Sequence, residues 1–384
     1  MPEATRPEAT SPATPAVQPL TTWNLVRYFL YLGSLGFGGP VALVGYMQRD
    51  LVEARRWFTV EDFKKSLALS QLAPGPLAAQ LAICLGFIQS GVAGATWVAF
   101  AFIFPSFLMT VAIGWAYVEF GGLPYMQAAF YGVGATVIAI IVRSAYKLAK
   151  LSLGADKLLW AIFVVVAVVT GWAEDELAVV MIGSGLLAML WKAPPAFLRR
   201  GGAPLAVASP LLLLQLLAYF AQAGAFVFGS GLAIVPFLYG GVVQEYHWLN
   251  NQQFIDAVAV AMLTPGPVVI TVAFIGYLVG ALPGAVAAGL GMFIPVYLFV
   301  VVPFRWFDRI SSNPRVKAFV DGITAAAAGA LAGGCYVLAR RAVYDWPTVI
   351  IALVALGIVW RFKVPEPVLI VAGAAVGLAV FALR

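Results

Sequence analysis

Residues 70–76 read Ser-Gln-Leu-Ala-Pro-Gly-Pro, and residues 261–267 read Ala-Met-Leu-Thr-Pro-Gly-Pro. The two stretches lie at an offset of 191 residues, each inside a long apolar segment. Because proline has no N–H to give to a helix and glycine is a poor helix former, Pro-Gly-Pro interrupts the helix. In lipid, such an interruption leaves backbone groups unpaired unless it lines a cavity or a binding site. The doubled tripeptide therefore predicts a membrane protein with two broken helices.

The two halves of the chain repeat each other in register around these tripeptides. Aromatic, glycine and proline positions coincide at an offset of 191 residues, and after a one-residue gap the match continues at an offset of 190. The coinciding pairs include Phe37 with Phe228, Gly38 with Gly229, Trp57 with Trp248, Phe63 with Phe254, Gly86 with Gly276, Gly94 with Gly284 and Pro105 with Pro295. Interrupted segments at matching positions of two halves are typical of secondary transporters.

The composition is that of a helical membrane protein. Hydrophobic residues make up 62% of the chain and charged residues 10%, and the mean hydropathy is +0.94, which is too apolar for a soluble surface. Lys and Arg outnumber Asp and Glu by 23 to 17, but the basic residues lie in short loops between apolar segments. This distribution indicates the positive-inside bias of a membrane protein rather than nucleic-acid binding. The expected surroundings are therefore a lipid bilayer.

The sequence lacks the motifs of common enzymes and metal sites. There is no HExxH, no GxSxG and no GxxxxGK[ST]. Cys84 and Cys335 lie in separate apolar stretches and form no disulfide or metal-binding pattern. We therefore expect a protein that is not an enzyme and that holds no cofactor and no metal.

Apolar segments divide the chain into two halves of six segments each. Residues 1–21 predict a disordered tail, residues 22–198 the first repeat half, residues 199–210 a polar connector, and residues 211–384 the second half. The segments run near 23–47, 62–89, 94–118, 126–148, 158–172 and 177–191, and near 211–239, 254–279, 283–304, 316–338, 346–360 and 364–383. As one helix, a Pro-Gly-Pro segment would be about 42 Å long, whereas two arms of roughly 18 Å reach about halfway across the bilayer.

The positions of Lys and Arg decide between two topologies. If all segments cross, alternate loops hold 12 and 11 of these residues, which is no bias. If each Pro-Gly-Pro segment enters and leaves on one side, 18 lie on one face and 5 on the other, as expected of a cytoplasmic and an outer face. This predicts an all-α polytopic membrane protein with five transmembrane helices and one re-entrant Pro-Gly-Pro hairpin per half. Since five is odd, the second half is inverted and both termini lie outside.

The Pro-Gly-Pro tips are predicted to bind an anion near the midplane. A half-helix begins after each tip, and its first amides and its positive dipole end point at the tip. Glycines at equivalent positions of the first segment of each half allow close backbone approach. Two such helix ends suit a doubly charged anion. The candidate site residues are Gly38, Gly39, Gln71, Pro74, Gly75, Pro76 and Leu77 in the first half, and Gly229, Ser230, Gly231, Thr264, Pro265, Gly266, Pro267 and Val268 in the second.

Charged side chains are expected at the edges of this site. Arg49, Lys64 and Lys65 lie near the ends of the first two apolar segments, where they attract anions to the cytoplasmic entrance. We expect no Lys or Arg deep in the spans. The acidic residues near span ends include Glu119 and Asp256, and since none stands plainly at mid-membrane, proton coupling has weak support.

Together the motifs resemble those of a known family. Residues 37–40 read FGGP, residues 55–76 read RRWFTVEDFKKSLALSQLAPGP, and residues 248–267 read WLNNQQFIDAVAVAMLTPGP. In these stretches the chain resembles chromate ion transporters, and the likeness covers nearly the whole chain after residue 22. The resemblance implies a protein of the inner (cytoplasmic) membrane that extrudes chromate, with two homologous halves of opposite orientation. The family's motif positions correspond to Gly38, Gly39, Pro40, Gln71, Pro74, Gly75 and Pro76, and to Gly229, Gly231, Thr264, Pro265, Gly266 and Pro267.

We therefore predict a multi-pass secondary transporter that exports chromate by alternating access. The tetrahedral oxyanion would be held between the two re-entrant tips. Sulfate has the same shape and charge, so a permease for sulfate or another oxyanion is an alternative, and an anion channel is a second alternative. For the assembly we consider a homodimer.

Overall fold

The computed structural model describes residues 20–37, 39–120, 123–173, 178–192, 212–227, 231–306, 313–362 and 364–383. Almost all of the predicted tail and the whole predicted connector lie outside these residues, as do the candidate site residues Gly38, Gly229 and Ser230. The described part of the chain is helical throughout and contains no strand.

In its described residues the first half forms seven α-helices. They are α1 (Thr22–Leu35), α2 (Gly39–Met47, followed by a π-helical stretch Gln48–Ala54), α3 (Val60–Leu72), α4 (Leu77–Phe120), α5 (Pro124–Leu153), α6 (Lys157–Ala173) and α7 (Ala178–Lys192). The second half repeats this order with α8 (Leu212–Phe226), α9 (Val235–Tyr239, between Gly231–Ile234 and Gly240–Glu245), α10 (Asn251–Leu263), α11 (Thr271–Val301), α12 (Pro314–Ala342), α13 (Trp346–Arg361) and α14 (Glu366–Ala382).

Four of the described helices are long and apolar enough to cross a membrane, by length and composition alone. They are Leu77–Phe120, Pro124–Leu153, Val268–Val301 and Pro314–Ala342. Large apolar side chains are exposed along the helices, among them Leu108, Val165, Leu290 and Leu353, as expected of a surface that faces lipid. The chain is an all-helical membrane protein.

The Pro-Gly-Pro segments begin with capped helices at equivalent positions. The Thr59 side chain accepts a hydrogen bond from the Asp62 amide at the start of α3, and the Asn250 side chain accepts one from the Gln253 amide at the start of α10. Such caps satisfy amides that have no acceptor within the helix. The sequence repeat thus extends to the way in which the two helices start.

After the first Pro-Gly-Pro the chain folds back on α3. The Ser70 hydroxyl lies 3.7 Å from the Cys84 sulfur, whereas the same residues in one continuous helix would be about 21 Å apart. α10 likewise packs against the start of α11. We call these pairs the first and second Pro-Gly-Pro hairpins, with the first tip at residues 73–76 and the second tip at residues 264–267.

Each Pro-Gly-Pro hairpin ends in a sharp bend that leads into a long helix. Ser90 and Gly91 have φ values of −148° and 58°, and Gly280 and Ala281 have nearly the same values, −144° and 49°. Glycines flank each bend and pack on each other: a Cβ on Gly86 would lie 2.6 Å from the Gly94 carbonyl oxygen. α4 therefore consists of a short arm, residues 77–89, and a long arm, residues 92–120.

The first apolar segment, near residues 23–47, was predicted to be one crossing helix, but the structure shows that it folds back on itself. The Tyr28 hydroxyl donates to the Asp50 carboxylate at 3.3 Å, although these residues would be about 33 Å apart in a continuous helix. The chain turns at Gly36, where a Cβ would meet side-chain atoms of both Leu32 and Leu43, so that α2 packs back on α1. We call α1 and α2 the first leading hairpin.

The second half begins with an equivalent hairpin. The Tyr219 hydroxyl of α8 donates to the Phe237 carbonyl of α9 at 2.8 Å, and the Tyr219 ring also contacts the ring of Tyr246. α8 and α9 form the second leading hairpin. The prediction of five crossing helices per half is therefore wrong for the first helix of each half, which folds back instead.

The leading hairpin also changes the predicted position of the start of α1. Thr22 at the start of α1 contacts Ser90 at the bend of α4, with 2.5 Å between their hydroxyl oxygens. Since α1 and α2 are antiparallel, Arg49 and Arg55 lie at the same end of the molecule as Thr22. The structure therefore places the start of α1, with Arg27, at the end that carries these arginines, whereas the predicted topology put Arg27 on the opposite face.

Two ends of the molecule can be distinguished by their contacts. At one end, which we call the basic end, Lys192 Nζ lies 2.6 Å from the Asp156 carboxylate and 3.9 Å from that of Asp321. At the other, which we call the cavity end, a cavity of about 790 Å³ is lined by residues near helix termini, including Val118, Pro124, Asn250, Tyr344 and Phe381. The long arm of α4 and the helices α5 and α12 connect the two ends.

Candidate functional site

Each Pro-Gly-Pro tip is bonded to the turn of the leading hairpin in the opposite half. The Gly75 amide donates to the Val227 carbonyl at 2.5 Å, and the Gly266 amide donates to the Gly36 carbonyl at 3.0 Å. Both donors and both acceptors are related by the offset of 191 residues, so the two bonds are equivalent. The tips therefore lie in the interior, where the two halves meet.

The glycine of each tip has a backbone conformation and surroundings that exclude larger residues. Gly75 and Gly266 have φ values of 141° and 96°, a backbone conformation that L-residues with a side chain rarely adopt. A Cβ on Gly266 would lie 2.0 Å from Ser106 Oγ, and one on Gly75 would lie 2.6 Å from Gln80 Nε2. The second tip thus packs on the long arm of α4, and the first tip packs both on its own short arm and on Val296 of α11, where a Cβ on Gly75 would lie 3.0 Å from Val296 Cγ1.

The Gly75 and Gly266 amides are used in the bonds to the leading turns, but other backbone amides near the tips remain available to bind an anion. The short arm of α4 begins at Leu77, directly after Pro76, and the first amides of an α-helix have no acceptor within it. In the second half, Pro267 is followed by a 3₁₀ turn, Val268–Ile270, before α11 begins. Each tip is therefore followed by a helix start with its partial positive charge. The second start is a 3₁₀ turn, which is wound more tightly than an α-helix.

Polar side chains around the tips are mostly engaged with nearby carbonyls. Gln80 Nε2 donates to the Pro74 carbonyl at 2.7 Å and to the Ala73 carbonyl at 3.2 Å, which closes the first tip. The Thr264 hydroxyl donates to the Ala261 carbonyl at 3.2 Å. Gln80 Oε1 is buried and, in the described part of the chain, has no hydrogen-bond partner. A buried polar atom without a partner is costly, so it marks a place where a donor can bind.

The two hairpins differ in their exposure. Along α3, one face is exposed or half-buried from Lys64 and Lys65 through Ala68 to Gln71, and this face leads from the basic end to the first tip. Along α10, every residue from Phe254 to Met262 is buried. Pro265, Gly266 and Pro267 are buried as well. Only the first tip is therefore bordered by an exposed face that reaches the surface.

The structure brings together most of the described candidate site residues. The Gly75 and Gly266 tips meet the leading turns, and a Cβ on Gly231 would lie 3.4 Å from the Val268 side chain. Gly39 lies apart from the tip contacts, with its Cβ position 4.0 Å from the Glu366 carboxylate. Gln71 is exposed at the last turn of α3 rather than turned into the tip.

The predicted entrance cations lie at the surface of the basic end. Arg49 pairs with the Asp50 carboxylate at 2.8 Å, and its side chain is 63% exposed, so Asp50 partly neutralises it. Lys64 and Lys65 are exposed on the face of α3 that leads to the first tip.

A deeper cation was missed by reasoning from the sequence. α5 runs on to Leu153, so that Arg143 lies ten residues before its end rather than near the mouth of a span. Thr136 of α5 packs on Gly373 of α14, and the antiparallel register of these helices brings Arg143 level with Glu366. The charges of Arg143 and Lys147 act on the Glu366 carboxylate. A helix length judged from the apolar run alone, near residues 126–148, could not reveal this position.

Among the described residues, no group of three or more His, Cys, Asp or Glu side chains could hold a metal ion. Cys84 and Cys335 are both buried and reduced. The chemistry on offer at the tips is therefore that of amide dipoles and neutral hydrogen-bonding groups. Such groups can bind an ion reversibly without reacting with it.

The sequence matches known transport proteins over most of its length. It is 56% identical over 377 residues to the chromate transport protein of Cupriavidus metallidurans, with 94% of each chain covered. It is 52% identical over 371 residues to the probable chromate transport protein of Synechococcus elongatus, covering 92% of this chain and 94% of that one. The chromate transport protein of Pseudomonas aeruginosa is 32% identical over 413 residues, with 99% and 98% covered. No solved structure matches the chain significantly.

The family profile of chromate transporters matches in two blocks, residues 23–189 and residues 214–378. The blocks fall within residues 22–198 and 211–384, and each contains one leading hairpin and one Pro-Gly-Pro hairpin. Members of this family are transport proteins and not enzymes. With the family profile matched in both halves, the chain belongs to the chromate transporter family.

Proposed function

We propose that the protein exports chromate across the cytoplasmic membrane by alternating access, with the oxyanion bound at the Pro-Gly-Pro tips. The observation that carries this proposal is the pair of equivalent bonds from Gly75 to Val227 and from Gly266 to Gly36. They support two interrupted helical hairpins whose tips lie in the interior, which is the usual place of a substrate in repeat-built transporters. The names of the similar chromate transport proteins support the substrate.

An inverted repeat is part of the proposal. The start of α1 lies beside the bend of α4, at the end where Tyr297 of α11 contacts Thr96. α3 begins at Val60, a few residues after Arg55 at this same end, whereas its equivalent α10 begins at Asn251, where Asn250 and Gln252 line the cavity at the opposite end. Equivalent elements thus start from opposite ends of the molecule, so that one hairpin enters from each face and the two tips approach from opposite sides.

The exposed face of α3 supports a conformation that is open toward the basic end. By the positive-inside rule this end is cytoplasmic. Chromate enters past Lys64 and Lys65, which raise the local anion concentration, and reaches the helix start at Leu77. Arg143, farther from the end of α5, adds positive charge beside Glu366. The second tip is buried in this conformation and opens in the alternate one.

Export is the energetically favoured direction for a dianion. Moving two negative charges out of a cell across an inside-negative potential of about 100 mV releases about 4.6 kcal/mol. This free energy sustains a concentration ratio of more than about a thousandfold, since about 1.4 kcal/mol corresponds to a factor of ten. Transport can therefore proceed outward on the potential alone.

The proposal is tested by enlarging the tip glycines. Gly75→Leu and Gly266→Leu would place a side chain where a Cβ already lies within 3 Å of other atoms. Each change should abolish chromate resistance in cells and chromate flux in proteoliposomes while the protein remains in the membrane. Gly45→Leu is the matched control, since a Cβ at Gly45 meets nothing within 4 Å. Unchanged resistance in the tip variants would remove the site assignment.

Sulfate is the second candidate substrate. The tips offer amides and neutral side chains, and these groups recognise the charge and tetrahedral shape that chromate and sulfate share. Competition by sulfate in chromate flux measurements separates the two: strong competition would mark a general oxyanion carrier. A channel would instead show flux that does not saturate with concentration, and the buried second tip favours a carrier.

A further inference from the structure

The cavity end holds a buried acidic side chain that the anion site does not use. The cavity of about 790 Å³ is lined mainly by neutral polar and aromatic residues, and Asp256 lies at its inner wall. Asp256 belongs to α10, the first arm of the second Pro-Gly-Pro hairpin, and is 2% exposed. Among the described lining residues Asp256 is the one acid, and on α10 it lies between the cavity end and the second tip.

Asp256 has two donors that fix its orientation. The Tyr117 hydroxyl, from the long arm of α4, donates to one carboxylate oxygen at 2.7 Å. Gln252 Nε2, one turn earlier on α10, donates to the other at 2.8 Å. The bond from Tyr117 ties the hairpin to a helix that runs between the two ends of the molecule. The state of the carboxyl group therefore affects how firmly the hairpin is held.

No cation compensates this carboxylate in the described part of the chain. The described residues that line the cavity include no Lys, Arg or His, and Asp256 forms no ion pair among them. The other titratable groups that face the cavity are Tyr117 of α4, Tyr131 of α5 and Tyr344, which precedes α13. Behind them, Asp345 accepts a hydrogen bond from Tyr131. A buried charge without a partner of opposite sign is unfavourable. Binding a proton removes the negative charge of the carboxylate and with it this cost.

The equivalent position in the first hairpin carries the opposite charge. Asp256 corresponds to Lys65 at the offset of 191 residues, and Lys65 is exposed at the basic end. A fixed cation at the cytoplasmic approach attracts the anion. A carboxyl group on the outer approach would repel the anion when charged and tolerate it when protonated.

We propose that Asp256 is a proton-binding site, reached from the cavity end, that couples chromate export to inward proton movement. The proposal rests on the proposed function. When the second tip releases its anion outward, a proton from cavity water binds a carboxylate oxygen of Asp256 and neutralises it. When the hairpins return, the proton leaves for water at the basic end and Asp256 regains its charge. One proton then moves inward for each anion that moves outward.

The test uses proteoliposomes that contain the full chain. The membrane potential is clamped with potassium and valinomycin, a chromate gradient is imposed at alkaline pH so that chromate is the dianion, and a trapped dye reports lumenal pH. In the wild type, chromate flux should be accompanied by proton flux in the opposite direction. Asp256→Asn should lose the pH change and keep the chromate flux that an imposed potential drives.

Two further variants make the test specific. Glu119→Gln removes an exposed carboxylate two residues from Tyr117 on α4, and it should leave both fluxes unchanged. Tyr117→Phe keeps the carboxyl group but removes one donor, and it should shift the pH at which the proton-coupled flux is half-maximal.

The outcomes separate this inference from the proposed function. Chromate flux without any pH change in the wild type, or a pH change that persists in Asp256→Asn, would overturn the coupling and leave chromate transport intact. Absence of chromate flux in the wild type would overturn the proposed function itself. If Asp256→Asn is folded but inactive, Asp256→Glu decides: recovery of both fluxes supports a required carboxyl group, and no recovery overturns the inference.

Discussion

α3 of the first Pro-Gly-Pro hairpin is exposed along one face from Lys64 to Gln71, whereas α10 of the second is buried from Phe254 to Met262. Both helices have thirteen residues, start with a capped turn and end at a Pro-Gly-Pro tip. The two helices thus share their length, their caps and their tips, but differ in how far their side chains are buried. The equivalent hairpins therefore lie in an exposed and in a buried environment within one structure, and this is the asymmetry that the proposed alternating access would use.

Charge reversal at the equivalent positions Lys65 and Asp256 should have the largest and most unequal effect. Asp256→Lys places a cation in a site that is 2% exposed and lined by donors, and should destabilise the fold by about 3–5 kcal/mol. Lys65→Asp changes an exposed residue and should leave the stability nearly unchanged while it slows transport. The melting temperature of each detergent-solubilised variant, followed by size-exclusion chromatography, measures the two changes in stability. Equal melting temperatures would show that the two environments do not differ as described.

Alanine at the tip glycines should have an intermediate effect, larger in the second tip. Gly266→Ala forces a side chain against Ser106 Oγ in a left-handed backbone conformation, at a cost of about 1–3 kcal/mol. In Gly75→Ala the nearest atom is the end of the flexible Gln80 side chain, which can move. Adding Ser106→Gly should recover part of the chromate flux of Gly266→Ala and none of that of Gly75→Ala. Recovery of both, or of neither, would contradict the different packing of the two tips.

Cysteine labelling can compare the accessibility of the two hairpins directly. In a background of Cys84→Ser and Cys335→Ser, Gln71→Cys should react with a membrane-impermeant maleimide added from the cytoplasmic side, because position 71 is exposed. Met262→Cys, its equivalent, should stay unreactive because Met262 is 3% exposed. Chromate should slow labelling at position 71. Rapid labelling at position 262 from the same side would contradict the closed environment of the second hairpin.

The smallest effect concerns the ion pair at the basic end. The hydrogen bond from Lys192 holds the pKa of Asp156 below its usual value. A pKa that is lowered in the folded protein means that the pair stabilises the fold above the ordinary Asp pKa, and that this is lost as pH falls through the folded pKa. Because Asp156 is partly exposed, Asp156→Asn should cost less than about 1 kcal/mol at neutral pH and nothing in acid. Melting temperatures across pH measure this, and a constant difference would contradict it.

Much of the architecture follows from the printed sequence. The repeat, the interrupted helices at Pro74–Pro76 and Pro265–Pro267, and the helical membrane class all rest on proline chemistry and apolar length, which are local properties. The leading hairpins did not follow, because residues 23–47 are apolar and long enough for a crossing helix. In the folded chain they fold back through contacts between residues distant in sequence, such as Tyr28 with Asp50 in the first hairpin and Tyr219 with Phe237 in the second.

The candidate site was predictable to a similar degree. The tip residues were found because glycine between two prolines is conspicuous in an apolar segment. Their partners, Val227 and Gly36, were not, because a backbone carbonyl that accepts a bond has no sequence signature. Arg143 and Asp256 were judged from their distance to span ends, and the helix bounds and packing placed them deeper than that distance implied.

The two bonds between tips and leading turns bear on how such a chain can arise and be divided. A polypeptide with only one half would have a tip glycine amide and a carbonyl of the leading turn. Neither group would have its hydrogen-bond partner, because that partner lies in the other half. Two copies in opposite orientation would complete each other. We therefore expect that the halves, produced as separate polypeptides, act only when co-expressed, because joining them in one chain makes this contact intramolecular.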